Sequence, residues 1–191
     1  MFDLLTRINA PLIQGLPTKG IYTLIIFLSK ETCLNVGKLG EQRFLMGRYT
    51  YTGSALGKGA SSLKHRISRH IRKEKRNFWH IDFLLANENA TVTTVVATQT
   101  NEKLECKLNS YIKTEGRAKI LVKEFGASDC RENCGSHLLF HRELMEEPVL
   151  VQNIIRCYKA LDLAPLHYPA RSINAQHEIE LLQKTRKNVA P

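Results

Sequence analysis

Apolar and polar positions change period several times along this chain, and each change marks an element. From Gly20 the run IYTLIIFL is β-branched, aromatic and unbroken, which predicts a buried strand. CLNVGKLG and QRFLMGRYTYTG predict two further strands around a turn at residues 38–41, and the three together predict an antiparallel meander. The period then lengthens. In SSLKHRISRHIRKEK, Leu63, Ile67 and Ile71 recur at every fourth position and form the buried stripe of a helix capped by Ser61 or Ser62. Arg66 and His70 have the same spacing, so they stack on one flank of that stripe, at the edge of the core and within reach of a cleft. FWHIDFLLA reads as a packed turn or short helix and TVTTVVAT as a strand. NEKLECKLNSYIKT reads as a helix with Leu104, Leu108, Tyr111 and Ile112 inside and Glu105 at the edge of its stripe. FGASDCRENCGSHLLFH is a Gly/Cys loop entering a short strand. EPVLVQNIIRCYKALDL is an amphipathic helix that tolerates Pro148 in its first turn. Pro165 and Pro169 then break the chain, and INAQHEIELLQKTRKN predicts a final helix.

Charge adds a partner class to this outline. The 191 residues carry a net charge of +10, enough chain for one cored domain with an appendage. Residues 58–76 hold eight Lys or Arg against Glu74 alone, whereas residues 77–191 balance. A basic stripe of this density predicts a polyanion, because each neutralised phosphate releases counterions. Lys58, Lys64, Arg69, Arg72, Lys73 and Arg76 are the candidate nucleic-acid contacts, with the last four expected to face solvent or a ligand. No base-reading element is evident, so shape recognition is expected, and DNA is not separated from RNA at this level. No apolar run approaches the ~20 residues of a membrane span, and the N-terminus does not read as a signal peptide. Five cysteines without a secreted pattern predict reduced thiols in a cytoplasmic protein.

Chemistry concentrates around RYTYTGSALGKG. Tyr49 and Tyr51 share a strand face, and the glycines that follow would let backbone approach a ligand closely. Tyr22 sits early in the first strand, Tyr51 late in a neighbouring one, Arg66 and His70 on one helix and Glu105 on another. Two phenols, a guanidinium, an imidazole and a carboxylate form a kit for hydrolysing a phosphodiester. The carboxylate can hold a divalent cation, the guanidinium can fork onto phosphate as charge builds, and a phenol can relay a proton.

Gly20-Ile21-Tyr22, then Tyr51-Thr52-Gly53, Arg66 and Glu105, in this order, resemble the GIY-YIG nuclease domain. GRYTYTGSALG, RISRHIRKEKRNFWHIDFLL, the Glu in LEC, and FGASDC followed by SHLLF resemble more closely a mostly archaeal subgroup long described as a domain of unknown function. The resemblance covers about residues 17–142, leaving residues 1–16 as an arm and 143–191 as a helical C-terminal extension that could pack on the domain, dimerise or recruit a partner. It implies an α/β (α+β) domain with a central three-stranded antiparallel sheet flanked by helices, and metal-dependent cleavage of DNA. Tyr22 would be general base or proton relay, Tyr51 would contact water or phosphate, and Arg66 would clamp the scissile phosphate. His70 matches a position held by His or Tyr, and Glu105 would be the sole protein ligand of Mg²⁺ or Mn²⁺. Two departures stand out: Thr52 replaces the usual Ile, and the segment between Tyr22 and Tyr51 is long enough for an extra strand or lobe. Asn109 is a poor match for the Asn that often follows the Glu.

Cys130, Cys134 and His137 have zinc-ligand spacing, with His80 or Cys106 as candidates for a fourth ligand. His141 cannot join His137 on one ion if SHLLFH is a strand, because four residues at ~3.3 Å separate them by about 13 Å. Structure- or damage-selective DNA cleavage is therefore the leading reading. A nucleic-acid-binding module with weak or lost catalysis, or a zinc-stabilised interaction module, are the alternatives.

Overall fold

In the computed structural model, residues 16–128, 130, 132–141 and 145–173 are described. Nearly all of the N-terminal arm and the final predicted helix lie outside them. Among the described residues, no helix is long and apolar enough to cross a membrane.

The centre is a five-stranded antiparallel sheet in the order β6-β4-β1-β5-β7, from β1 (Gly20–Leu28), β4 (Gly47–Ala55), β5 (Ala90–Gln99), β6 (Leu138–His141) and β7 (Leu166–Pro169). The three-stranded core expected from the resemblance is present as β4-β1-β5, and two edge strands widen it. The meander is corrected. QRFLMGRYTYTG is two strands, and its first part, β3 (Glu41–Phe44), pairs with β2 (Thr32–Asn35) in a separate hairpin. That hairpin is the extra lobe between Tyr22 and Tyr51. It leaves the sheet where Leu28 pairs with Gly47, about 20 Å along β1 from the pair Tyr22–Gly53.

Strand β1 is buried on both faces, and alternation sorts its side chains. Tyr22, Leu24, Ile26 and Leu28 join Leu63 and Ile67 of α1 (Leu63–Ile71) and Ile81, Leu84 and Leu85 of α2 (His80–Ala86) in one core. Ile21 and Ile25 join Leu108 and Ile112 of α3 (Glu105–Glu115) and Leu150, Ile154 and Tyr158 of α4 (Glu147–Lys159) in the other. Thr52 belongs to this second face. It lies 3.3 Å from the Thr23 hydroxyl, which lies 3.1 Å from the Tyr158 hydroxyl, which donates to the Val96 carbonyl. A hydroxyl suits Thr52 because a polar chain runs beneath it. Helix α4 thus packs on the sheet and β7 extends it, so residues 145–173 share the core and the sheet of the domain.

Ser62 caps α1, its hydroxyl accepting from the His65 N–H. The helix stops at Ile71, short of the predicted run, where Arg72 turns to extended backbone, and the Lys75 ammonium satisfies the carbonyls of His70 and Arg72. Helix α3 begins at Glu105, and Tyr111, expected inside, is 38% exposed. Gly20 is required by close approach: a Cβ there would lie 1.9 Å from the Thr98 carbonyl oxygen on β5.

Candidate active site and an adjoining metal centre

Antiparallel pairing gathers the site at one end of the sheet. β1 begins there, β4 and β5 end there, and β6 enters there, since Gly20 pairs with both Ala55 and Gln99. Tyr22, Tyr51, Gly53, Arg66, Trp79, Lys103, Glu105, Gly126 and His137 line a cleft of about 320 Å³ at this end. Of the five predicted catalytic residues, Tyr22, Tyr51, Arg66 and Glu105 line it directly. His70 stands behind Tyr22. No residue of the β2–β3 hairpin contributes.

Tyr22 is 1% exposed, and its hydroxyl lies 2.8 Å from His70 Nε2. Burial pushes the phenol well above its ordinary value and the neighbouring Tyr51 adds to this, while the Arg66 guanidinium draws it partly back. Burial lowers His70 to about 3 against the attraction of Asp82. Both groups therefore rest neutral, with the Tyr22 hydroxyl paired with Nε2, while Nδ1 of His70 is buried without a hydrogen-bond partner, 4.0 Å from Asp82 Oδ1. Tyr51 is 8% exposed and packs edge-on to His70 and Phe125. Glycines make room for both rings: a Cβ at Gly53 would lie 2.7 Å from the Tyr22 hydroxyl, and one at Gly126 2.7 Å from the Tyr51 ring. The expectation that these glycines bring backbone toward a ligand is thus corrected at Gly53, whose vacant side-chain position is filled by Tyr22.

The depressed value of His70 has a stability consequence. As pH falls below 6.5 the unfolded chain takes up this proton and the folded chain does not, until about pH 3. Stability is therefore full above about pH 6.5 and is lost as pH falls toward 3, and His141, lowered by burial to about 4, steepens the loss. His70→Gln is expected to flatten the acid limb by up to about 1.4 kcal/mol per pH unit. Denaturant midpoints between pH 7 and pH 4 measure this, and equal slopes in the two proteins would count against a buried neutral imidazole.

Arg66 is held by two contacts. It donates to the Ser54 carbonyl at 2.8 Å, and its guanidinium lies 4.9 Å from the Trp79 ring centre. Arg69 also lies over Trp79, at 4.6 Å, but its charge is spent on Asp82 at 2.7 Å and on the Arg76 carbonyl. Lys73 donates to the carbonyls of Leu85, Asn87 and Ala90, where α2 hands over to β5. Arg69 is thus a clamp within the fold, which corrects its expected solvent-facing role, whereas Lys73 is exposed as expected while its ammonium ties the end of α2 to β5. Lys58, Arg72 and Arg76 are exposed and Lys64 is half-buried on α1.

Asp82 organises this wall, and reading the sequence did not single it out. It is fully buried, and its Oδ2 accepts from the N–H groups of Phe78 and Trp79 at 3.0 and 2.9 Å. The available signal was an acidic residue in the first turn of a short aromatic-rich helix. Phe78, Trp79 and Lys103 are also cleft residues that the sequence pattern left unmarked.

Glu105, the first residue of α3, lines the cleft, and its Oε2 is buried without a hydrogen-bond partner. A buried carboxylate oxygen with no hydrogen-bond donor is suited to a cation. The next residue, Cys106, belongs to a second group. Its Sγ, those of Cys130 and Cys134, and a ring nitrogen of His137 all lie within 4.8 Å of one another, a Cys₃His group able to hold a metal ion. The structure thus picks Cys106 rather than His80, whose Nδ1 accepts from the Gly126 N–H at 3.1 Å. His141 is engaged with the Thr50 hydroxyl at 2.9 Å. Asn109 braces the loop before His137, donating to the Ser136 carbonyl at 2.7 Å. Burial and the neighbouring Cys130 thiol push the Cys106 thiol up, so a cation would be needed to hold it as thiolate.

A family model described as a domain of unknown function, DUF123, matches residues 21–160. No curated protein and no solved structure matches the chain.

Proposed function

This chain belongs to the DUF123 family, and from its cleft we propose a metal-dependent endonuclease that hydrolyses DNA phosphodiester bonds at structural or damaged sites. The observation that carries the proposal is the convergence of Tyr22, Tyr51, Arg66 and Glu105 on one cleft, together with a buried, unpartnered carboxylate oxygen on Glu105. The resemblance to GIY-YIG nucleases supports the same reading. So does the density of positive charge over residues 58–76, for which DNA is the proposed polyanion and RNA the other candidate.

Glu105 would hold Mg²⁺ or Mn²⁺, and the bound ion would polarise a phosphoryl oxygen and offset charge on the leaving group. The residues supply positioning and proton control. Arg66, fixed by Ser54 and Trp79, presents its remaining donors to the phosphate. Tyr22 keeps its proton at neutral pH, so it acts as a relay: its oxygen takes a proton from the attacking water as its own passes to His70 Nε2. Asp82 faces the imidazolium so formed. Tyr51, the more accessible phenol, orients the water or a phosphate oxygen. The test is nicking of labelled DNA by purified protein with and without Mg²⁺. Tyr22→Phe is expected to lower the rate about 10²-fold with binding retained. A Tyr22→Phe protein that cuts at the wild-type rate removes the relay.

Zinc is the proposed occupant of the Cys₃His group, since thiolate and imidazole are its preferred donors. In a tetrahedron with metal–sulfur distances of about 2.3 Å, ligand atoms stand about 3.8 Å apart. The Cys130–Cys134, Cys106–Cys130 and Cys106–His137 separations of 3.2, 3.3 and 3.4 Å need only a small expansion. Such a centre ties α3 to the loop before β6 and so fixes Glu105 through Cys106. The purified chain is expected to carry about one zinc, and Cys134→Ser to lose it together with several degrees of melting temperature. A metal-free wild type whose melting is indifferent to chelators would remove zinc from the account. Reduced thiols at such a centre fit the proposed cytoplasmic location.

A further inference from the structure

We propose that Phe78 is a stacking platform for an unpaired nucleobase, so that the cleft takes a nucleotide already splayed out of its stack. This rests on the nucleic-acid reading of the same site and names its substrate class. Phe78 lines the cleft beside Arg66 and Glu105, yet it is 75% exposed, a large apolar ring turned toward water. It is also held in place. Its N–H is bonded to the buried Asp82, and its ring meets Trp79 edge-on at 5.6 Å between centres. Trp79 in turn lies beneath Arg66 and Arg69. A fixed, exposed ring next to a phosphate-binding guanidinium matches the way proteins hold single strands, with backbone charge neutralised and bases stacked on aromatic side chains.

Charge selects the occupant. Lys103 lines the same cleft, and exposed Arg72 and Arg76 precede Phe78 in the chain. A nucleotide brings a flat apolar base and an anionic phosphate to a site that offers a ring and guanidinium groups. A base inside an intact duplex keeps its face against its neighbours and cannot reach the ring. Flaps, gaps, mismatches and single strands, where unstacking costs least, are the substrates this platform favours.

The test uses the full-length wild type, Phe78→Ala and Phe78→Tyr, without added Mg²⁺. Single-stranded oligonucleotides carrying 2-aminopurine at successive positions are compared with the matched duplex. The wild type and Phe78→Tyr are expected to change 2-aminopurine emission at one position in the bound strand. They are also expected to alter emission from Trp79, the one tryptophan of the chain. Phe78→Ala is expected to abolish the first signal and weaken single-strand binding by about 5- to 150-fold, as loss of one stacked base predicts. Its duplex affinity and melting temperature should hold. Equal single-strand affinities overturn the platform. So does equal loss on single strand and duplex, or a lowered melting temperature with unchanged binding, which would assign the ring to packing within the protein. Cleavage is read separately: stacking without cutting removes the nuclease, and cutting without stacking removes the platform.

Discussion

Glu105→Gln is expected to lower metal-dependent cleavage by about 10²–10³-fold while leaving DNA affinity and stability nearly unchanged. Among the described residues, Glu105 is the only carboxylate lining the cleft, so none of the described neighbours can replace its charge. Its Oε2 has no hydrogen-bond partner, so the neutral amide breaks no internal bond. The position opens α3, and the following residue is anchored with Cys130 and His137, which keeps the substituted side chain in place. The loss should be partly recovered by raising the Mg²⁺ or Mn²⁺ concentration if metal binding is what the substitution impairs. Cleavage rates over a metal titration, with binding measured in parallel, check this. A Glu105→Gln protein that cuts as fast as the wild type would falsify the assignment of the metal site.

Asp82→Ala is expected to destabilise the protein by about 3–5 kcal/mol, the cost of removing one partner from a buried charged pair. The carboxylate is fully buried and serves three donors: the Arg69 guanidinium and the N–H groups of Phe78 and Trp79. Without it, two backbone donors and a half-buried cation lose their acceptor together. Asp82→Asn keeps the shape and one acceptor oxygen, and should cost less. Urea denaturation compares the three proteins. A cost below about 1 kcal/mol for the alanine variant would mean that solvent or another group satisfies these donors. The effect reaches the cleft as well: Trp79 is the surface on which Arg66 rests, so the alanine variant should lose cleavage beyond what its folded fraction explains.

Periodicity carries local information, and the agreement between pattern and fold follows that limit. The apolar run of β1, the four-residue stripe of α1 and the amphipathic α4 with Pro148 in its first turn all stand where the spacing puts them. Pairing is not local. β1 passes over the nearby β2 and pairs with β4, because a hairpin closes on itself and leaves β4 to return beside β1. β7 was hidden by its own prolines. An edge strand tolerates Pro169 at its end, so a segment that reads as a break can still add four residues to the sheet. The candidate site was legible where order along the chain mirrors order at the sheet end, as for Tyr22, Tyr51, Arg66 and Glu105. It was illegible where one element serves another. Nothing in HIDFLLA says that its aspartate will brace Trp79 and face His70, nor does RISRHIRK say that Arg69 is spent internally or that Lys73 ties the end of α2 to β5. The fourth member of the Cys₃His group lies 24 residues before Cys130 on a different element, so ligand spacing offered Cys106 and His80 alike, and only the fold separates them.

Cutting of phosphodiesters in this cleft with a divalent cation, as proposed, is open to direct measurement. The most direct measurement is incubation of the wild-type chain with labelled duplex, nicked, flapped, branched, abasic and deaminated DNA, with Mg²⁺, with Mn²⁺ and with neither. Strand cleavage is expected that requires the added metal and is strongest on flapped or branched DNA. Tight, salt-sensitive binding with no cleavage of any substrate in any metal would contradict it, and would make the cleft a recognition site instead.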